Sequence, residues 1–244
     1  MNKNVQTAVK HFWDVRSGGA GVLGGKTLDG FIDLISDVVR NSDLNDVEIH
    51  TSKITSQLPG FFRPHKSWDL VVRSKGQLIA AIELKSQVGS IGNNFNNRTE
   101  EVLGSGIDLH TAIEESAFGS EAEVFTGYLI LVEDSEKSRR NAKITMPYFP
   151  VMQGFLADEK ERENNYKPNQ NGKFPSTKGI SYLERYDLLC KRLVLKKLYS
   201  AAGLIIANEN KADIGSYTHI CKQTSIESFL TKLSNHCDLA SSYQ

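Results

Sequence analysis

Apolar residues recur at helical spacing over residues 4–16, where Val5, Val9, Phe12 and Trp13 share one stripe. A second stripe runs through residues 27–41: Leu28, Phe31, Ile32, Ile35, Val38 and Val39, with Asp29, Asp33 and Asp37 off it. The pattern then shortens into strand-like runs: "VEIHTS" (47–52), "WDLVVR" (68–73), "QLIAAIELK" (77–85), "TGYLILVE" (126–133) and "GLIIAN" (203–208). Helical stretches are expected near 98–117, 180–201 and 225–237. Residues 158–179 are polar and rich in Asn, Gly and Pro, which predicts a long loop. No repeat or linker divides the chain, so the expectation is one α/β domain over 1–244, with helices on both faces of a mixed central sheet.

Composition narrows the function classes. With 29 basic and 29 acidic residues in 244, the formal net charge is zero. A globally basic DNA-binding surface is therefore excluded, and any nucleic-acid contact must come from local patches. No apolar run reaches the roughly 20 residues that span a bilayer, so no membrane association is expected. The start of the chain lacks a signal-peptide core, which points to the cytoplasm. Cys190, Cys221 and Cys237 show no CxxC spacing and read as reduced thiols, and the six histidines show no zinc-binding spacing.

The stretch "GGAGVLGGKTLDG" (18–30) contains a GxGxxG match at Gly19, Gly21 and Gly24. A phosphate-binding loop requires a buried strand before it, and residues 4–16 are helical in pattern. Counting back from Gly25-Lys26-Thr27, the first glycine of a GxxxxGK[ST] loop would fall on Ala20. Nucleotide binding is accordingly disfavoured. The stretch reads as a flexible connection, or as a loop that delivers Lys26 and a helix N-terminus to a polyanion.

The chemistry concentrates in "WDLVVRSKGQLIAAIELKS" (68–86). Alternation puts Glu83 and Lys85 on one face of a strand and Leu78, Ala80, Ile82 and Leu84 on the other. A hairpin with a three- or five-residue loop gives pairs whose numbers sum to 152, so Arg73 faces Ile79 and Asp69 faces Glu83. Two adjacent carboxylates repel unless a cation lies between them, and hard oxygen donors suit Mg²⁺. A neighbouring lysine can orient an attacking water or help deprotonate it. Those parts fit metal-assisted phosphodiester hydrolysis, although an ordinary amphipathic hairpin would have the same spacing. The following "SQVGSIGNNFNNRTEE" is dense in Asn and Gly around one aromatic, residues that read base edges or approach phosphates.

Asp69…Glu83-x-Lys85 resembles the PD-(D/E)xK nuclease signature. The wider text, "GGKTLDGF", "LPGFFRPHKSWDL", "IAAIELKSQVGS", "GNNFNNRTEE" and "YLERYDLLCKRLV", resembles the XhoI family of type II restriction endonucleases from Gly24 to Val194. One departure is Trp68, where many such nucleases have Pro before the acid. The resemblance implies a restriction-endonuclease-like fold and an Mg²⁺-dependent homodimer that cuts both strands of double-stranded DNA. It also implies CTCGAG, cut after the first C, as the target, and a cognate DNA methyltransferase acting on the same site.

Asp69, Glu83 and Lys85 are thus the candidate catalytic residues, with Asp69 and Glu83 as metal ligands. Asp29 either contributes a further metal contact or only complements a helix dipole, with Glu48 as the alternative donor. Gln87 lies on the Glu83/Lys85 alternation as a supporting residue. Arg63, Lys66, Lys26, Asn93, Asn94, Asn96, Asn97 and Arg98 are candidate DNA contacts. Arg98 could instead pair with Glu100 or Glu101, and Asn96 and Asn97 could simply cap a helix. Three rival readings stand beside this one: a structure-specific repair or recombination nuclease, a nucleotide-binding regulatory domain, and a DNA-binding module without activity.

Overall fold

The computed structural model describes residues 2–18, 26–120, 122–210 and 215–243. Its helices are α1 (Asn2–Ser17), α2 (Asp29–Arg40), α3 (Ile91–Glu114), α4 (Glu136–Arg139), α5 (Glu159–Asn165), α6 (Tyr182–Leu195) and α7 (Ile226–Ser242). The central sheet takes β1 (Val47–His50), β4 (Leu70–Ser74), β5 (Gln77–Gln87), β6 (Phe125–Glu133) and β9 (Ala201–Ala207), in the order β1-β4-β5-β6-β9. The pairs β1–β4 and β4–β5 are antiparallel, whereas β5–β6 and β6–β9 are parallel. Two small antiparallel ribbons lie outside this sheet: β2 (Gln57–Leu58) with β3 (Lys66–Ser67), and β7 (Asn141–Ile144) with β8 (Thr177–Ser181).

Both faces of the sheet are covered. One packs Ala80, Ile82 and Leu84 against α1, α2 and α7 through Phe12, Trp13, Phe31, Ile35, Phe229 and Leu233. The other packs Val71, Ala81, Tyr128 and Ile130 against α3 and α6 through Phe95, Val102, Leu109, Tyr186 and Leu193. The expected mixed α/β architecture is the one observed.

Three local expectations are corrected. The β4–β5 hairpin closes through a two-residue turn, Lys75-Gly76, both at positive φ (48° and 79°), and not through a three- or five-residue loop. Positive φ at both central positions is the geometry that matches the strand twist. Pairs near this turn sum to 151, as in Arg73↔Leu78, so Arg73 does not face Ile79. A bulge at Ile79 then adds one residue and restores Val72↔Ala80, Val71↔Ala81 and Leu70↔Ile82. That slip turns Leu78 to the α3 side, away from Ala80 and Ile82.

Secondly, α3 begins at Ile91, two turns before the expected start near 98. Asn and Gly disfavour helix locally. The stripe Ile91, Phe95, Val102, Leu109 nevertheless packs on Tyr182 and Tyr186, and tertiary burial overrides propensity. Thirdly, 158–179 is not one loop. Asp158 caps α5 by accepting from the Glu161 amide, and β8 begins at Thr177. Buried Asn165 holds the segment by bonding both the amide and the carbonyl of Val151, at 3.1 and 2.7 Å.

Candidate active site

The site forms where β3, β4 and β5 meet beneath α3. Because the bulge restores the register before Leu70, Asp69 arrives beside the C-terminal half of β5. Its Oδ2 accepts the Leu84 amide at 2.7 Å. Glu83 and Lys85 project from β5 on the α3 face, and Glu83 is buried in the strand interior. The Lys85 ammonium donates to Glu83 Oε1 and the Lys66 ammonium donates to Glu83 Oε2, so one carboxylate carries two cations. Lys66 also donates to the Ser67 carbonyl at 3.1 Å and lies 4.4 Å over the Trp68 ring.

Burial, followed by the Glu83 charge, holds the Asp69 carboxyl above the usual carboxylate range, against the Leu84 amide and the Lys85 and Lys66 ammonium groups. For Lys85 burial pulls downward, but the charge and hydrogen bond of Glu83, helped by Asp69 and Glu101, outweigh it and raise the ammonium above its usual value. The Glu83 contact thus favours the protonated form of Lys85, which donates to that carboxylate. Tyr199, beneath the site, is pushed well up by burial first and Glu83 second, and its hydroxyl donates to the Val102 carbonyl at 3.0 Å.

The remaining sequence candidates scatter. Asp29 opens α2, the helix packed on the opposite face of the sheet from Glu83. Glu48 pairs with Arg73 (2.9 Å) and His50 (3.1 Å) near the turn end of the hairpin. That is roughly 13 Å along the strand direction from Asp69 at the usual rise of about 3.3 Å per residue. Among the described residues, no three or more His, Cys, Asp or Glu side chains cluster as a metal site. Gln87 ends β5 and donates to the Gly89 carbonyl at 2.6 Å, leaving its buried Oε1 without a partner. Arg98 pairs with Glu101 at 2.6 Å. Asn93, Asn96 and Asn97 are exposed on the first turns of α3, with Asn94 half-buried. Lys26 is exposed, and its carbonyl lies 3.3 Å from the His11 ring nitrogen. Residues 19–25, with the GxGxxG match, lie outside the described residues, and the element preceding them is helix α1.

Two residues were missed in the sequence. Asp108 on α3 is buried and accepts from Arg63 Nε (2.6 Å) and the Phe62 amide (2.7 Å), tying the 59–65 loop to the helix. A Cβ at Gly60 would strike this carboxylate, so the loop needs a glycine there. Burial would raise the Asp108 carboxyl, but Arg63 and the Phe62 amide hold it below its usual range. Arg185 on α6 stacks 4.9 Å from the Tyr182 ring, with Nε and Nη2 buried and unpartnered, and burial lowers its guanidinium from the usual range. An acid in the second half of a long helix or an arginine on a mixed helix face carries no distinctive sequence signal.

Comparison with known proteins places the chain in a class. A family model described as restriction endonuclease XhoI matches residues 13–167 and 160–219. The type II restriction enzyme XhoI of Xanthomonas vasicola is 44% identical over 203 residues, covering 77% of this chain and 73% of its own. The type II restriction enzyme BstVI of Geobacillus stearothermophilus is 35% identical over 221 residues, 88% of each chain. The type II restriction enzyme AbrI of Azospirillum brasilense is 50% identical over 125 residues, 51% of this chain and 56% of its own. No solved structure matches. The molecule is a restriction endonuclease, a site-specific deoxyribonuclease. Within that class, the chain belongs to the XhoI restriction endonuclease family.

Proposed function

We propose that this chain is a cytoplasmic, single-domain, homodimeric endonuclease that uses Mg²⁺ to cut both strands of DNA at CTCGAG after the first C, leaving TCGA overhangs. A cognate methyltransferase would protect the same sequence. The observation that supports the chemistry is the meeting of Asp69, Glu83 and Lys85 on adjoining strands in a member of this family. The recognition sequence rests on the family alone.

The donor set fits a hard divalent cation. Burial and then the nearby Glu83 charge raise the Asp69 carboxyl, and oxygen donors brought this close together suit a hard cation. Asp69 and Glu83 would hold it, and the ion would supply charge neutralisation at the phosphate and a more acidic water. Lys85, kept protonated by Glu83, donates to the attacking water or a phosphate oxygen and stabilises the charge that builds as the phosphorus–oxygen bond to water forms. The exposed Asn93, Asn96 and Asn97 on α3 supply amides for base edges or phosphates. A palindrome matches a two-fold dimer in which each protomer cuts one strand.

Digestion of plasmid DNA of known sequence with Mg²⁺, followed by sequencing of the ends, tests both parts. Discrete fragments with TCGA overhangs support them. Cutting elsewhere removes the CTCGAG assignment and leaves the nuclease, whereas nicking without sequence preference favours a structure-specific enzyme.

A further inference from the structure

We propose that Lys66 is a resident counter-ion that keeps the acidic pair closed to divalent metal until DNA binds, when its ammonium transfers from Glu83 to a backbone phosphate. This rests on the reading of Asp69 and Glu83 as the metal-holding pair.

The four charged groups of the site sum to zero, because Asp69 and Glu83 are balanced by Lys66 and Lys85. Each Glu83 oxygen already accepts a charged hydrogen bond. The Glu83 side chain is 7% exposed and that of Lys66 is 14% exposed, so solvent screens neither strongly. A divalent cation entering this arrangement would meet two ammonium groups before it neutralised any unpaired charge. One lysine has to leave first.

The local structure selects Lys66 as the one that leaves. Lys85 shares the central strand β5 with Glu83, two residues away on the same face, so the pairing with β6 fixes its backbone beside that carboxylate and only its side chain can turn away. Lys66 stands on β3, a two-residue strand paired only with two-residue β2, at the end of an exposed loop that includes Phe61, Phe62, Pro64 and His65. Its ammonium also meets the Ser67 carbonyl and the face of Trp68 and lies near the Asp69 charge. A long flexible stem and a compact ammonium suit exchange between a carboxylate and a phosphate. DNA supplies the anion that receives Lys66, and the vacated Glu83 oxygen becomes a donor. Metal and DNA then strengthen each other's binding by the same factor, as linkage requires. Trp68 loses the ammonium above its ring in the same movement.

Calorimetric titration of Ca²⁺ into the DNA-free protein tests this, with Trp68 fluorescence recorded alongside. Wild type should bind Ca²⁺ weakly, and Lys66→Met at least about tenfold more tightly, a factor within the usual range for coupled sites. Addition of a duplex bearing the cleavage site should raise Ca²⁺ affinity in wild type far more than in Lys66→Met. Lys66→Arg should behave as wild type. Lys66→Gln, which keeps hydrogen-bond donors without charge, should reproduce Lys66→Met and replaces it should that variant not fold. If neither neutral variant binds Ca²⁺ more tightly than wild type while Glu83→Gln abolishes binding, Lys66 is no counter-ion and the proposal is overturned with the acidic pair intact. If Glu83→Gln binds Ca²⁺ as wild type does, the acidic pair itself is misassigned and both readings fall.

Discussion

The two faces of the central sheet share the same strands and bury different things. The face under α1, α2 and α7 buries mainly hydrocarbon and aromatic side chains, together with the Cys237 thiol, the Ser36 side chain on α2 and an unpartnered Trp13 ring nitrogen. The face under α3 and α6 buries Glu83, Gln87 and Asp108 together with the tyrosines Tyr128, Tyr186 and Tyr199. Several of its polar atoms have no partner, among them the Tyr128 and Tyr186 hydroxyls, Gln87 Oε1 and Arg98 Nε. Buried polar groups cost free energy unless paired. One face therefore supplies stability and the other spends part of it on a charged site, and strand alternation lets adjacent residues of β5 serve both ends.

The sharpest way to break this comparison is to neutralise the polar face. Glu83→Gln should reduce DNA cleavage by about 10³-fold or more, a loss of roughly 4 kcal/mol of transition-state stabilisation. The folded state should survive. Supercoiled-plasmid kinetics and a thermal melt on the same sample check both halves, and a variant that loses fold and activity together would erase the distinction between the faces.

The opposite operation is Phe229→Ala. Phe229 is fully buried on the apolar face, 5.8 Å from Phe125. The truncation should cost about 3–5 kcal/mol of stability by urea unfolding. Cleavage per folded molecule should remain near wild type, and a selective fall in kcat would show that the apolar face also shapes the site.

Asp108 and Asp69 sharpen the contrast within the polar face, because their carboxyls are displaced in opposite directions. The Asp108 carboxyl is lowered, so its stabilisation is present above the unfolded value near 3.8 and is lost as pH falls through the folded value. Asp108→Asn should destabilise the protein at pH 7 by about 1.5–3 kcal/mol, the usual size for a hydrogen bond to a charged group. The deficit should vanish in acid. The Asp69 carboxyl is raised, so its ionised form costs stability as pH rises through the range above 3.8. Asp69→Asn should melt higher than wild type at pH 7, by a smaller margin than the Asp108 effect and with the opposite sign, and should match wild type in acid. Melting curves from pH 3 to 7 for both variants provide the test, and parallel profiles would refute the assignment.

Much of this was legible along the chain. The stripe in residues 4–16 is α1, the apolar runs at 126–133 and 203–208 are β6 and β9, and 77–85 is β5, where the expected alternation holds from Ala80 to Lys85 and fails at Leu78. The pairing sum of 152 survives at Leu70, although it was deduced from a wrong loop length, because the Ile79 bulge offsets the shorter turn. The start of α3 was not legible, since its asparagines speak for a turn and only contact with Tyr182 and Tyr186 makes them helical. The partners of Arg63 and Lys66 were not legible either. Asp108 is 45 residues from Arg63, and Glu83 is 17 from Lys66.

The sequence by itself determined the mixed α/β architecture, the family, and the acid–Glu-x-Lys order on adjoining strands. Periodicity and motif order are local properties, written at the scale of a few residues. Only the tertiary structure decided that α2, which Asp29 opens, lies on the far face, that Arg63 is tied to Asp108, and that Lys66 joins Lys85 on Glu83. Which charge meets which depends on how a two-residue ribbon and a helix are laid across the sheet. Long-range packing sets that geometry, and no repeat in the chain encodes it.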